Sequence, residues 1–235
     1  MKTHLIAIFC LVSISLMGQK TYAPAWESLD TRPVPSWFEN AKFGIFIHWG
    51  LYSVPMWSPK GTYSEWYKYW LDRKTLLGNG DFTGTEVYDY HKKMYGEDFT
   101  YADFAPMFKA MSYDANEWAD LFKRAGAKYI VLTTKHHEGF ALWPSKEASK
   151  SYGRPWNSME IGAHRDLKVG CYFSLREWDN PLYNRETMDL FYERHFFPQL
   201  KDLVNNYKPD LIWADGPDSM NDKIWQVERT LSWLY

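Results

Sequence analysis

Apolar residues in this chain fall into four short unbroken runs, each closed by a polar or aromatic cluster. Lys42-Phe43-Gly44-Ile45-Phe46-Ile47 runs into His48-Trp49-Gly50, and Tyr129-Ile130-Val131-Leu132-Thr133-Thr134 into Lys135-His136-His137-Glu138-Gly139. Val169-Gly170-Cys171-Tyr172-Phe173-Ser174-Leu175 is closed by Arg176-Glu177-Trp178, and Asp210-Leu211-Ile212-Trp213 by Ala214-Asp215-Gly216. Runs that do not alternate predict strands covered on both faces, as in a parallel sheet. Between them the spacing turns helical. Asn116 to Ala125 sets Trp118, Leu121, Phe122 and Ala125 on one face, with Asp114 and Glu117 as a capping pattern and Gly126 as the stop. Thr187 to Tyr207 carries Leu190, Phe191, Leu200, Leu203, Val204 and Tyr207, and Pro198 predicts a break or kink within it. Further helices are expected over Tyr101–Ala110 and Lys223–Tyr235. Gly139 to Lys168 has the length of a crossover but no amphipathic helix.

Strands that alternate with helices predict an α/β fold with a parallel sheet. All four strands end in residues able to do chemistry, which favours a (β/α)8 TIM-like barrel, whose mouth collects functional groups from several strands. No Gly-x-Gly-x-x-Gly follows a strand, so dinucleotide binding has no support. Four strands amount to about the first half of such a barrel.

Composition narrows this further. The 235 residues are 46% hydrophobic and 24% charged, enough for a buried core, and a net charge of -2 excludes the basic face of a nucleic-acid binder. Lys2, the apolar stretch Leu5 to Met17 and the small residues Gly18 and Ala23 read as a signal peptide. Residues 1–22 are therefore set aside as leader, leaving 23–235 as a partial catalytic barrel domain. The expected destination is secreted, periplasmic or lysosomal, without membrane insertion after cleavage. Self-association is left open. Only Cys171 then remains, so no intramolecular disulfide is available and stability must come from the core.

Each candidate residue carries two readings. His136-His137, with His48, could be metal ligands, but adjacent strand residues point to opposite faces and no ligand spacing accompanies them. Structural histidines or partners for substrate hydroxyls remain. His48 alone would be a satisfied core histidine; its place at a strand end gives it a functional reading. Glu65 and Trp66 lie in the aromatic stretch Tyr63 to Trp70, either a packing patch or a sugar platform with a carboxylate for hydroxyls. Asp215 is either a turn or cap residue before Gly216-Pro217 or the nucleophile of a retaining glycosidase.

The motifs Lys42 to Pro55, Lys128 to Phe140, Tyr172 to Trp178 and Leu211 to Gly216 closely resemble, in order, those of the family 29 α-L-fucosidases. The resemblance implies a (β/α)8-like barrel, normally followed by a β-sandwich domain that is absent here, and release of terminal α-L-fucose with retention. It makes Asp215 the nucleophile and His48, Glu65, His136, His137 and Tyr172 fucose-binding residues, with Trp66 and Trp213 lining the pocket. It implies no metal or organic cofactor, and fucosylated glycans or glycoproteins as partners. Two departures stand out. Arg165-Asp166-Leu167 runs directly into the third strand with no intervening helix, and the family's acid/base carboxylate falls beyond Tyr235, so the chain reads as incomplete and its activity as open.

Overall fold

The computed structural model of the chain describes residues 20–73, 85–158, 170–216 and 222–235. The apolar leader stretch and the Arg165-Asp166-Leu167 junction lie outside the described residues. The four apolar runs form four strands: β1 (Gly44–Ile47), β2 (Tyr129–Lys135), β3 (Gly170–Ser174) and β4 (Ile212–Asp215). Every pairing is parallel, and the strands lie side by side in chain order. Parallel neighbours in chain order with helical crossovers are the build of a (β/α) barrel, of whose eight strands these are four.

Ring contacts show how strongly the sheet is rolled. In a flat sheet the first and fourth strands would stand ~14 Å apart, three strand spacings. Yet Phe46 of β1 and Trp213 of β4 meet edge to face with centroids 4.9 Å apart. Both therefore lie on the concave side. The convex side carries the helices: Phe173 packs against Trp143 and Phe196 at 6.1 and 5.7 Å, and Leu132 and Cys171 are buried with it. At Gly170 the strands come so close that a Cβ would stand 2.8 Å from the Ile130 carbonyl oxygen.

The helix expected from Asn116 runs Ala115–Arg124, and Asp114 Oδ1 accepts from the amides of Asn116 and Glu117 at 2.8 and 3.1 Å. Its apolar face is covered only in part: Trp118 and Phe122 are half-buried, and Leu121 is 53% exposed. The Thr187–Tyr207 segment is three pieces: α-helix Met188–Phe191, a π-helical turn Tyr192–Phe196, and α-helix Phe197–Tyr207. Pro198 has no amide for the carbonyl of Arg194, and the wider turn absorbs that mismatch. Tyr101–Met107 winds as a 3-10 helix around Pro106 and not as the expected α-helix. Between β2 and β3, where no helix was expected, Lys146–Tyr152 is helical. Ser145 caps it by accepting the Ala148 amide at 3.2 Å, and Gly153 ends it in the left-handed region. Two turns are too few to display a helical period.

These elements belong to one unit, Val34–Gln226. Among the described residues, a second unit joins residues 20–33 to Val227–Tyr235. Within it, the Trp26 amide donates to Glu228 Oε1 at 3.0 Å, the Ser232 hydroxyl donates to the Tyr22 carbonyl at 2.5 Å, and the Arg32 guanidinium lies 3.6 Å over the Tyr235 ring.

The tight approach at Gly170 gives a direct stability test. Gly170→Ala should lower unfolding free energy by about 1–3 kcal/mol through overpacking, seen as a reduced urea midpoint at constant m-value. An unmoved midpoint would show that β2 and β3 have room to separate there.

Candidate active site at the strand ends

The end of β2 determines the geometry. Its register on β3 slips between Thr133 and Lys135, so that Lys135 stands opposite Phe173 on the convex side. Such a bulge re-aims the residues after it. His136 and His137 lie just past the strand, and their rings, expected on opposite faces, sit 4.3 Å apart. His136 stacks on Tyr172 at 5.9 Å, with planes 12° apart, and meets Tyr52 and His48 edge-on at 5.5 and 5.6 Å. His48 meets Tyr172 at 5.4 Å. His137 has the Trp66 ring 5.8 Å away and Trp178 at 5.1 Å.

Asp215 ends β4 and pairs in register with Ser174. Its Oδ2 accepts a hydrogen bond from the Tyr172 hydroxyl, while His137 Nε2 stands 3.8 Å from the same oxygen. The Asp215 side chain is 45% exposed, so this carboxylate opens to solvent from a wall of buried histidines. The chain turns immediately after it: Gly216 has φ +78, and a Cβ there would stand 3.0 Å from both His137 Cε1 and Arg176 Cβ. Glu65, half-buried on the 3-10 turn Ser64–Trp66, projects its charge onto His48, Tyr52 and Tyr172. Trp213 lies one pleat below Asp215 on the same concave face, with its ring on Phe46. Seven of the eight predicted residues thus converge, and Trp213 floors the group.

Electrostatically the cluster is neutral at its centre. Burial, then the neighbouring His136, lowers His48 against the pull of Glu65 and Asp215. Burial, then His136 and Arg176, pushes His137 down to about 2. Burial and the bond to Asp215 hold the Tyr172 hydroxyl far above the usual tyrosine range. Neutral imidazoles and a protonated phenol around a carboxylate suit hydrogen bonding to the hydroxyls of an uncharged ligand. Among the described residues, no three His, Cys, Asp or Glu are grouped to hold a metal ion.

Behind this wall lies a second cluster. Glu177 is fully buried and accepts from Lys135 Nζ, from His195 Nε2 at 2.8 Å, from the Tyr152 hydroxyl at 3.1 Å and from Asn180 Nδ2 at 2.8 Å. Burial alone would raise its pKa, but His195 and Lys135 together pull it well below the carboxylate range. Burial also depresses Lys135 against the pull of Glu177. The carboxylate, which collects four donors, is the partner whose direction governs the acid side. A carboxylate so held cannot serve as a proton donor. Glu138 is equally buried, 3.4 Å from His136 Nδ1.

Three residues of the wall escaped the sequence reading: Tyr52, Ser174 and Trp178. Each stands inside one of the four motifs, Tyr52 in Lys42 to Pro55 and Ser174 and Trp178 in Tyr172 to Trp178, so proximity to a strand end was the available signal.

A rolled parallel sheet that gathers a carboxylate, histidines and aromatic rings at the carboxyl ends of its strands places them where a (β/α) barrel carries its functional groups. The profile of the family described as Alpha-L-fucosidase matches residues 10–235, and the chain belongs to that family. It is 44% identical over 232 residues to the tissue alpha-L-fucosidase of Bos taurus, covering 91% of this chain and 46% of that one. With the tissue alpha-L-fucosidase of Homo sapiens it shares 45% over 234 residues, covering 92% and 46%. The chain thus spans about half the length of the curated relatives it matches. The crystal structure of Thermotoga maritima alpha-fucosidase in complex with fucose is 35% identical, with a TM-score of 0.70 over 91% of this chain and 54% of that one.

The Glu177 cluster yields two linked expectations. Glu177→Gln leaves the Lys135 ammonium buried without its anion and should cost about 3–5 kcal/mol of stability at neutral pH, measured by urea unfolding. Because the folded state holds Glu177 below its ordinary value of 4.5, its contribution is complete above that pH and is lost as pH falls below it. The acid limb of the stability–pH curve should therefore be shallower in Glu177→Gln than in the parent chain.

Proposed function

We propose that the strand-end cluster is the glycone site of an α-L-fucosidase that hydrolyses terminal α-L-fucose from glycoconjugates with retention. The observation that carries this reading is the solvent-open Asp215 carboxylate, held by Tyr172 and faced by the buried His137 imidazole. In the double displacement, a carboxylate attacks the anomeric carbon, the aglycone leaves with a proton from a second carboxylic acid, and water then hydrolyses the glycosyl ester. Asp215 takes the first role. Tyr172 orients it and, by holding Oδ2, leaves Oδ1 for attack. His48, His136, His137 and Glu65 meet sugar hydroxyls, and Trp66 and Trp213 offer apolar faces to its C–H groups. Family membership and the fucose-bound Thermotoga maritima relative support fucose as the sugar.

We read residues 1–22 as leader and 23–235 as part of the catalytic domain, on a chain bound for export. Among the described residues no helix is long and apolar enough to cross a membrane. A second reading, fucose binding without turnover, is favoured by one observation: Glu138 and Glu177, the carboxylates of the histidine and third-strand motifs, are both buried, and Glu177 is filled by four donors and unsuited to protonate a leaving group. Calorimetric binding of L-fucose with no release from an aryl α-L-fucoside would select it.

Turnover of that aryl fucoside should drop by on the order of 10^4 or more in Asp215→Asn, by analogy with loss of other nucleophiles. Undiminished turnover would remove Asp215 from the mechanism. Tyr172→Phe deletes one charge-assisted hydrogen bond, so kcat/KM should fall by roughly 10- to 100-fold, equivalent to about 1.5–3 kcal/mol.

A further inference from the structure

The two ring nitrogens of His137 face different neighbours, Ser174 on one side and Asp215 on the other. Nδ1 lies 2.6 Å from Ser174 Oγ. The Ser174 hydroxyl in turn lies 2.7 Å from the carbonyl oxygen of Arg176. A carbonyl oxygen can only accept, so that short contact requires the serine proton to lie between them. Ser174 has one proton. Its oxygen is then left as an acceptor toward His137, and a 2.6 Å contact between two bare acceptors would be repulsive, so the proton on that side belongs to Nδ1.

We infer that Ser174 is a positioning residue: by committing its only proton to the Arg176 carbonyl, it fixes His137 as the Nδ1–H tautomer and leaves Nε2 as a bare acceptor beside Asp215. The separation on the other side agrees. Nε2 stands 3.8 Å from Asp215 Oδ2, too far for a hydrogen bond, whereas an N–H or an imidazolium there would close on the carboxylate. Oδ2 is bonded by Tyr172 instead. The groups around the ring oppose a second proton: His136 at 4.3 Å, Arg176, Lys135 and His48 act against a positive charge, and Asp215 is the anion facing it. Trp66 and Trp178 flank the ring and add no polar partner on that face.

The consequence, which rests on the fucosidase reading, is a division of labour. A His137 that donated to Asp215 would tie up the carboxylate and weaken it as a nucleophile. Held as an acceptor, His137 takes a hydrogen bond from a sugar hydroxyl seated beside Asp215 and leaves the carboxylate to Tyr172. Ser174 touches neither sugar nor reacting atoms and acts wholly through the imidazole.

The test is two-bond 1H–15N correlation on the full chain with 15N-labelled histidine, with His137 assigned from the signal lost in His137→Gln. The expected result is a single Nδ1–H form from about pH 5.5 to 8, the range in which an ordinary histidine titrates. In Ser174→Ala the Nε2–H form should become the majority. A proton on Nε2 in the parent chain, or an unaltered tautomer in Ser174→Ala, overturns the inference, and the parent spectrum decides alone if that variant fails to fold. Adding L-fucose separates this idea from the functional reading. A shift of the Nε2 resonance supports both, with fucose Kd about tenfold weaker in Ser174→Ala. An Nδ1–H tautomer with no response to fucose upholds the serine's role and removes the sugar site.

Discussion

Glu177 is the carboxylate on which the site's walls depend. Its four donors come from four places: Lys135 at the end of β2, Tyr152 on the crossover helix, Asn180 in the loop after β3, and His195 on the π-helical turn. An ionised carboxylate cannot be buried unless its lone pairs are filled, so these segments must assemble around it together. The main chain repeats the link on the other side, where the Trp178 amide donates to the His137 carbonyl at 2.9 Å. The loops that carry the histidines and Trp178 are thereby held from behind by charge and from the front by backbone. A wall built on loops gains the rigidity of a core.

The rolled sheet explains why residues far apart in the chain share one site. Concave positions of successive strands, His48 past β1, the histidines past β2, Tyr172 on β3 and Asp215 on β4, are brought together because the strands are adjacent and the sheet is curved. The same curvature lets Phe46 and Trp213 touch beneath them. Strand-to-strand side-chain bonds reinforce the upper rim: Thr133 Oγ1 donates to the Ile47 carbonyl and Thr134 Oγ1 to the Tyr172 carbonyl, each at 2.7 Å.

Much of this was legible before any coordinates. Unbroken apolar runs gave the four strands because burial on both faces leaves no polar alternation to confuse them. Asp114 announced a helix start because its cap is a local interaction. What escaped depended on distance. A lysine directly after an apolar run reads as solvent-facing, yet Lys135 is fully buried because its anion lies 42 residues on. His91 is buried too, with Nδ1 2.9 Å from the Tyr67 hydroxyl and Nε2 donating to the Phe99 carbonyl at 2.8 Å, and neither partner is marked in the sequence. The histidine pair was expected to diverge because both were placed on a regular strand, whereas β2 ends at Lys135 and they sit in the turn that follows, where the Gly139 amide donates to the His136 carbonyl at 3.0 Å.

That broken pleat has a consequence for how this region can vary among related chains. A strand is a two-state counter: each residue added or removed exchanges inside for outside for everything downstream. The slip between Thr133 and Lys135 resets the counter once, sending the ammonium to the convex side and the imidazoles to the mouth. Substitutions in Tyr129-Ile130-Val131-Leu132 leave that parity untouched, whereas a one-residue insertion or deletion there would present lysine to the mouth and bury a histidine against Glu177. In this segment, length is constrained more tightly than composition.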